Sequence, residues 1–216
     1  MSIRTHSFSD GEYYHIYNRG NSRQIIFLDD KDYGVFQQFL YLMNMEKRIT
    51  TREVGSSAYS YVREVQLVHI GAYCLMPNHF HILLTQKADN GISKFMQKVS
   101  TAYVMYFNKK YKRTGGLFEG KFKSKHIGTD TYLKYLYAYI HLNPAKLITP
   151  SWKEDLNNGT AFNLSEVLEY PYSSAAYYVG KEKIENLILE PSSFPNYFPE
   201  RGFFLEEIST WFRLLG

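Results

Sequence analysis

The run Met76-Pro77-Asn78-His79-Phe80-His81-Ile82-Leu83-Leu84 sets two imidazoles two positions apart among strand-forming residues. Alternate side chains of a strand share a face, so His79 and His81 point one way and Phe80 and Ile82 the other. Two neighbouring imidazoles can chelate a divalent metal, although two incidental polar residues on an exposed face would share that spacing. A second group lies farther on: Tyr132, Tyr135 and Tyr139 fall on one helical stripe, and Asn143 continues it one turn past Tyr139. Such a stripe is ordinarily core packing with hydroxyls at the rim, which suffices for Tyr132 and Tyr135. Tyr139 differs because Asn143, a short oxygen ligand, stands one turn away at a helix end set by Pro144. Two histidines and an amide oxygen form a mixed nitrogen and oxygen site with open positions, suited to Mg²⁺ or Mn²⁺ shared with a substrate phosphate. A phenol beside such a site is a candidate nucleophile for phosphoryl transfer.

These groups need elements to hold them. Glu12–Asn18 predicts a strand closed by Arg19-Gly20. Asp29 or Asp30 can cap a helix through the following KDYGVFQQFLYLMNMEK, where Phe36, Phe39, Leu40 and Met43 recur at helical spacing. Residues 48–62, with Gly55-Ser56-Ser57 at their centre, predict a loop. Val65–Met76 and His79–Thr85 predict two strands joined at Pro77-Asn78. A long helix over Ile92–Tyr111 is stopped by Gly115-Gly116, residues 122–127 form a short basic strand, and Thr129 or Asp130 caps a last helix ending by Pro144. The order strand, helix, two strands, helix, strand, helix fits an α+β fold: a ferredoxin-like or RRM-like antiparallel sheet with helices on one face. Residues 1–149 are expected to form this domain. Residues 150–216 are expected to be a mostly helical extension packed on it.

The 216 residues carry 25 Lys and Arg against 21 Asp and Glu, a net charge of +4. Apolar residues at 44% and charged residues at 21% mark a globular chain with enough length for a buried core. No stretch is long and apolar enough for a bilayer, and the first residues lack the hydrophobic centre of a secretion signal, so a cytoplasmic protein without membrane contact is expected. The single cysteine, Cys74, excludes an internal disulfide and a cysteine-rich zinc site, and reads as a core residue. The modest net charge conceals a strong division. Residues 91–127 carry nine basic side chains against Glu119 alone, a net of +8, whereas residues 151–216 carry −5. A basic middle segment points to an anionic partner, nucleic acid first, with solvated charged surface as the plainer explanation.

MPNHFHILL, the basic FNKKYKRTGGLFEGKFKS, YLKYLYAYIHLNPAKL and YPYSS occur in that order, preceded by HIYNRG. From about Tyr13 to Ser174 this succession resembles the IS200-like single-tyrosine transposases, a branch of the HUH endonucleases, and within them the REP-associated group. The resemblance implies that His79 and His81 are metal ligands, with Phe80 the hydrophobe between them. It also implies that Tyr139 is the nucleophile and Asn143 the third ligand, Tyr132, Tyr135 and Tyr137 being the competing tyrosines. His141, two residues from Tyr139 and on another helix face, reads as incidental.

The implied activity is divalent-metal-dependent cleavage and rejoining of single-stranded DNA through a 5′-phosphotyrosine, at hairpin-bearing repeats. Basic and aromatic residues interleave in the middle segment, so Lys109, Lys110, Lys112, Arg113, Lys121, Lys123 and Lys125 are candidate DNA contacts, joined by Arg19 and Arg23. Two alternatives stand beside this reading: a nickase of the replication-initiator or relaxase kind, and a non-catalytic protein that binds DNA hairpins. The resemblance implies either a homodimer that exchanges the tyrosine helix, as in minimal relatives, or a monomer, as the longer type can be; the extension here favours the monomer.

Overall fold

Alternation builds the sheet. The computed structural model describes residues 7–47, 58–158 and 163–215, so the glycine-serine centre of the expected 48–62 loop lies outside the described residues. Strand β1 (Tyr13–Arg19) pairs antiparallel with both β3 (His79–Gln86) and β4 (Lys123–Ile127), and β3 pairs antiparallel with β2 (Val68–Met76). The order β2-β3-β1-β4 is the antiparallel arrangement expected of the ferredoxin-like class.

Tyr14 and Ile16 of β1 and Phe80, Ile82 and Leu84 of β3 are buried on one face, against Phe36 and Phe39 of α1 (Asp30–Leu42) and Phe95, Val99 and Tyr103 of α2 (Gly91–Lys110). Burying each such ring or branched side chain contributes about 1.5–3 kcal/mol. Asp29 starts α1 by accepting the Asp32 amide at 3.0 Å. The opposite face is covered by α3 (Asp130–Leu142), capped by Thr129, whose hydroxyl accepts the Tyr132 amide at 3.2 Å. The two crossover helices thus share one face, and the third lies on the other because Leu133, Leu136 and Ile140 pack on Ala72, Cys74 and Leu83.

A bulge at Gly71 lets β2 serve both layers. Before it the even-numbered Val68 and Ile70 face α1 and α2; after it the odd-numbered Tyr73 and Leu75 do, while Ala72, Cys74 and Met76 turn toward α3. A Cβ at Gly71 would lie 2.9 Å from the Phe194 ring and 2.9 Å from the Tyr137 hydroxyl, so the bulge requires glycine. Cys74, read as a core residue, is fully buried.

Among the described residues, the chain after α3 forms four short α-helices, α4 (Ala145–Ile148), α5 (Trp152–Asn157), α6 (Leu164–Leu168) and α7 (Ala175–Tyr178), and then α8 (Arg201–Leu215). Trp152, Val167, Leu168, Tyr178, Phe204, Ile208 and Phe212 join the core under α3. The YPYSS segment covers the outer edge of β2: the Leu75 amide donates to the Tyr172 carbonyl and the Ser174 amide to the Tyr73 carbonyl, each at 2.9 Å. That edge is therefore closed to another strand.

Candidate active site

The odd-numbered residues of β1 (Tyr13, His15, Tyr17 and Arg19) face the α3 side, as do His79 and His81 of β3. Pairing sets Arg19 opposite His79 and Tyr17 opposite His81, with Lys123 and Lys125 of β4 opposite Tyr17 and His15. The two expected ligands do share a face, with ring centroids 5.0 Å apart and planes at 81°. Their turn is pinned from outside: the Ile26 amide donates to the Pro77 carbonyl at 2.8 Å and the Gly20 amide to the Asn78 carbonyl at 2.9 Å.

Helix α3 brings Tyr139 to this pair. Its ring lies edge-on to His81 at 5.2 Å and to His15 at 5.9 Å. Asn143 follows one turn later, its Nδ2 donating to the Tyr139 carbonyl at 2.7 Å and its side chain turned toward His79 and the Tyr139 hydroxyl. His79, His81, Tyr139 and Asn143, spread over 65 positions of sequence, meet at one place. The competing tyrosines lie elsewhere. Tyr137 is buried against Tyr178 and Phe198, Tyr135 stands one turn before Tyr139, and Tyr132 beyond it carries the Lys125 ammonium 4.3 Å over its ring.

The site is electrically distinctive. Burial lowers His79 to about 4, with Arg19 and Lys146 adding and the Asn143 hydrogen bond opposing. Burial also lowers His15 to about 4, reinforced by Lys125, and takes His81 well below its ordinary value, reinforced by His15, His79 and Arg19. All three imidazoles are neutral at pH 7 and offer lone pairs. Burial first, then Tyr135, raises Tyr139 above the usual phenol value, the Asn143 hydrogen bond opposing, so its hydroxyl holds its proton at neutral pH.

Among the described residues no group of three His, Cys, Asp and Glu side chains is disposed to hold a metal. The expected set is different, two imidazoles and an amide oxygen, and its chemistry fits a divalent cation. His79 Nδ1 lies 2.6 Å from Asn78 Oδ1 and His81 Nδ1 lies 2.8 Å from His15 Nε2, which leaves the Nε2 atom of each ring for another partner. Asn143 spends its amide nitrogen on the Tyr139 carbonyl, keeping its oxygen available.

The candidate DNA contacts separate into two groups. Arg19, Lys121, Lys123 and Lys125 are exposed along the β1–β4 border beside the histidines. Residues 117–120 bring that border together: the Asn21 amide donates to the Leu117 carbonyl and the Glu119 amide to the Arg19 carbonyl, each at 2.9 Å. Lys109, Lys112 and Arg113 lie at the end of α2, on the other layer, and Arg23 is exposed in the turn after β1. Lys110 is committed to an internal ion pair, its Nζ 2.7 Å from both Asp29 and the fully buried Asp32.

Two further contributors, His15 and Tyr17, are not singled out by motif spacing. The available signal was strand alternation, since Tyr13, His15, Tyr17 and Arg19 form the polar face of a strand whose other face is Tyr14 and Ile16. His141, read as incidental, is fully buried, and its Nε2 meets Ser174 Oγ at 2.8 Å, tying α3 to the segment that covers β2.

A family model described as "Transposase IS200 like" matches residues 12–143, more than half of the chain and all of the site just described. No curated protein matches the chain with significance. A solved structure described as that of "the REP associates tyrosine transposase bound to a REP hairpin" is similar to it, with a TM-score of 0.53 and 16% identity over 86% of this chain and 90% of that one. That likeness is one of fold.

Proposed function

Because the chain belongs to the IS200-like transposase family, we propose that it cuts and rejoins single-stranded DNA through Tyr139, at hairpin-bearing repeats. The observation that carries this reading is the approach of the Tyr139 ring to within 5.2 Å of His81, with Asn143 on the same helix turned to His79.

His79, His81 and Asn143 would hold a divalent cation, Mg²⁺ or Mn²⁺, which supplies positive charge to the non-bridging oxygens of the bound phosphodiester. Tyr139 supplies the nucleophile. Its oxygen forms a bond to phosphorus as the bond from phosphorus to the 3′-oxygen breaks; the phenolic proton leaves, and the released 3′-oxygen takes up a proton. The phosphate remains on the 5′ end as a tyrosine ester. A DNA 3′-hydroxyl reverses the exchange and joins a strand, with no external energy source required. The packing of His15, His81 and Tyr135 around the Tyr139 ring limits its motion, so the hydroxyl is held near its line of attack.

Arg19, Lys121, Lys123 and Lys125 pair with strand phosphates along β4, and Tyr17 offers a ring on which an unpaired base can stack. Lys109, Lys112 and Arg113, with Arg23, form a second basic patch for the hairpin stem. The hairpin itself is carried over from the REP hairpin in the similar solved structure. The seating of Tyr139 against histidines of its own chain, with α8 packed upon α3, supports action as a monomer rather than as a homodimer.

Incubation with hairpin-bearing single strands and Mg²⁺ or Mn²⁺ is expected to give a covalent adduct stable to denaturation, lost in Tyr139→Phe and retained in Tyr135→Phe. No adduct with any divalent ion would refute the enzyme, and tight binding without an adduct would instead identify a hairpin-binding protein.

A further inference from the structure

We propose that His15 is a positioning residue for His81, holding that ring in the tautomer whose proton is on Nδ1 so that Nε2 keeps the lone pair a cation needs. This rests on the reading of His79, His81 and Asn143 as cation ligands.

A neutral imidazole carries one N–H and one lone pair, and the partner of one nitrogen decides the state of the other. For His79 the partner is unambiguous. Its Nδ1 lies 2.6 Å from Asn78 Oδ1, an atom that only accepts, while the Asn78 Nδ2 donates to the Arg23 carbonyl at 3.3 Å and so fixes which end of the amide is which. His79 is therefore protonated on Nδ1, its Nε2 keeping the lone pair on the side of Asn143. Among the described residues no carbonyl or amide oxygen meets His81 Nδ1. Its partner is His15 Nε2 at 2.8 Å, a nitrogen that can either donate or accept. If His15 carries its proton on Nε2, His81 is forced to carry its own on Nε2 and is lost as a ligand. If His15 is protonated on Nδ1 and accepts, His81 matches His79 and both rings present lone pairs.

The ring of His15 is buried and cannot easily turn away. It packs on Tyr17 at 5.0 Å, His81 at 4.9 Å and Tyr139 at 5.9 Å. Its Nε2 is engaged by His81, so it supports the ligand set from behind rather than joining it. Outer partners of ligating histidines typically change metal affinity 10- to 100-fold when removed.

Calorimetric titration of the 216-residue protein with Mn²⁺, without DNA, tests the assignment. His15→Ala is expected to bind Mn²⁺ 10- to 100-fold more weakly. His15→Gln, whose amide oxygen can accept from His81 Nδ1, is expected to recover most of that loss. Long-range ¹H–¹⁵N NMR of the parent, which needs no variant to fold, is expected to find the His81 proton on Nδ1. Unchanged Mn²⁺ binding in His15→Ala, a His81 proton on Nε2, or a Gln variant as weak as the Ala variant overturns the proposal. His79→Ala and His81→Ala separate the two levels: if they also bind Mn²⁺ like the parent, the ligand set itself is wrong, whereas their failure beside an unaffected His15→Ala refutes only the role of His15.

Discussion

Trp211, near the end of α8, stands edge-on to Tyr135 of α3 with ring centroids 5.1 Å apart. Tyr135 in turn packs on Tyr139 at 5.9 Å, so a residue in the last turns of the chain supports the helix that carries the proposed nucleophile. Trp211 is itself held by a hydrogen bond from Nε1 to Glu207 Oε1 at 2.7 Å. The extension beyond α3 thus completes the layer that seats Tyr139 against the sheet.

Trp211→Ala is expected to destabilise the fold by about 2 kcal/mol, less than the 3–5 kcal/mol of a fully buried tryptophan, because the ring is only half-buried. It should also slow formation of the Tyr139 adduct more than it weakens DNA binding. Urea unfolding and adduct time courses check both; an unchanged adduct rate would detach α8 from the placement of Tyr139.

The lysines are expected to divide by role. Lys110→Ala leaves the buried Asp32 carboxylate without its cation and should cost about 3–5 kcal/mol. Lys123→Ala and Lys125→Ala, both exposed on β4, should leave stability within about 0.5 kcal/mol of the parent. Each should weaken single-strand binding and reduce the slope of log affinity against log salt by about 0.7. Denaturation curves and binding isotherms at several salt concentrations distinguish the two behaviours.

Acid should unfold the metal-free protein early. His15 and His79 are lowered to about 4 and His141 to about 3, burial being the first cause in each. Between pH 6.5 and about 4 the unfolded chain binds protons that the folded chain refuses. Stability is therefore full above pH 6.5 and falls as pH drops through that window, by up to about 1.4 kcal/mol per pH unit for each group. Urea midpoints in chelator at pH 7.5, 6 and 5 should fall in that order and be flat above pH 7. His141→Gln should flatten the acid slope by about one such increment.

Gly71→Ala should cost about 1–3 kcal/mol, since its new methyl would press on Phe194 and the Tyr137 hydroxyl at 2.9 Å. A shorter side chain at the contact, in Gly71→Ala with Phe194→Leu, should return part of that cost in thermal denaturation. No recovery would show that the bulge backbone, and not the crowding, is what demands glycine.

Much of this architecture was legible locally. The His79-Phe80-His81 alternation places both imidazoles on one face whatever the sheet packs against, and the spacing of Tyr139 and Asn143 places them on one helix stripe wherever that helix lies. The caps at Asp29 and Thr129 are likewise local, because a side-chain oxygen within three residues of an amide needs no distant partner. The strand before Pro77 begins at Val68 rather than Val65, since the ladder with β3 starts only where Gln86 can pair. Lys110 and Lys123 read alike in a basic run. Only the burial of Asp32 beneath the end of α2 separates them.

Residue spacing along the chain, then, determined the histidine pair, the tyrosine with its asparagine, and the order of strands and helices, because those follow from the 2-residue and 3.6-residue periods of the backbone. Tertiary structure alone decided that α3 covers the face bearing the histidines, that His15 meets His81 from 66 residues away, and that the YPYSS segment closes the β2 edge. Those are pairings between distant surfaces. They are selected by which apolar faces can be buried together, a property of the whole core that no local period encodes.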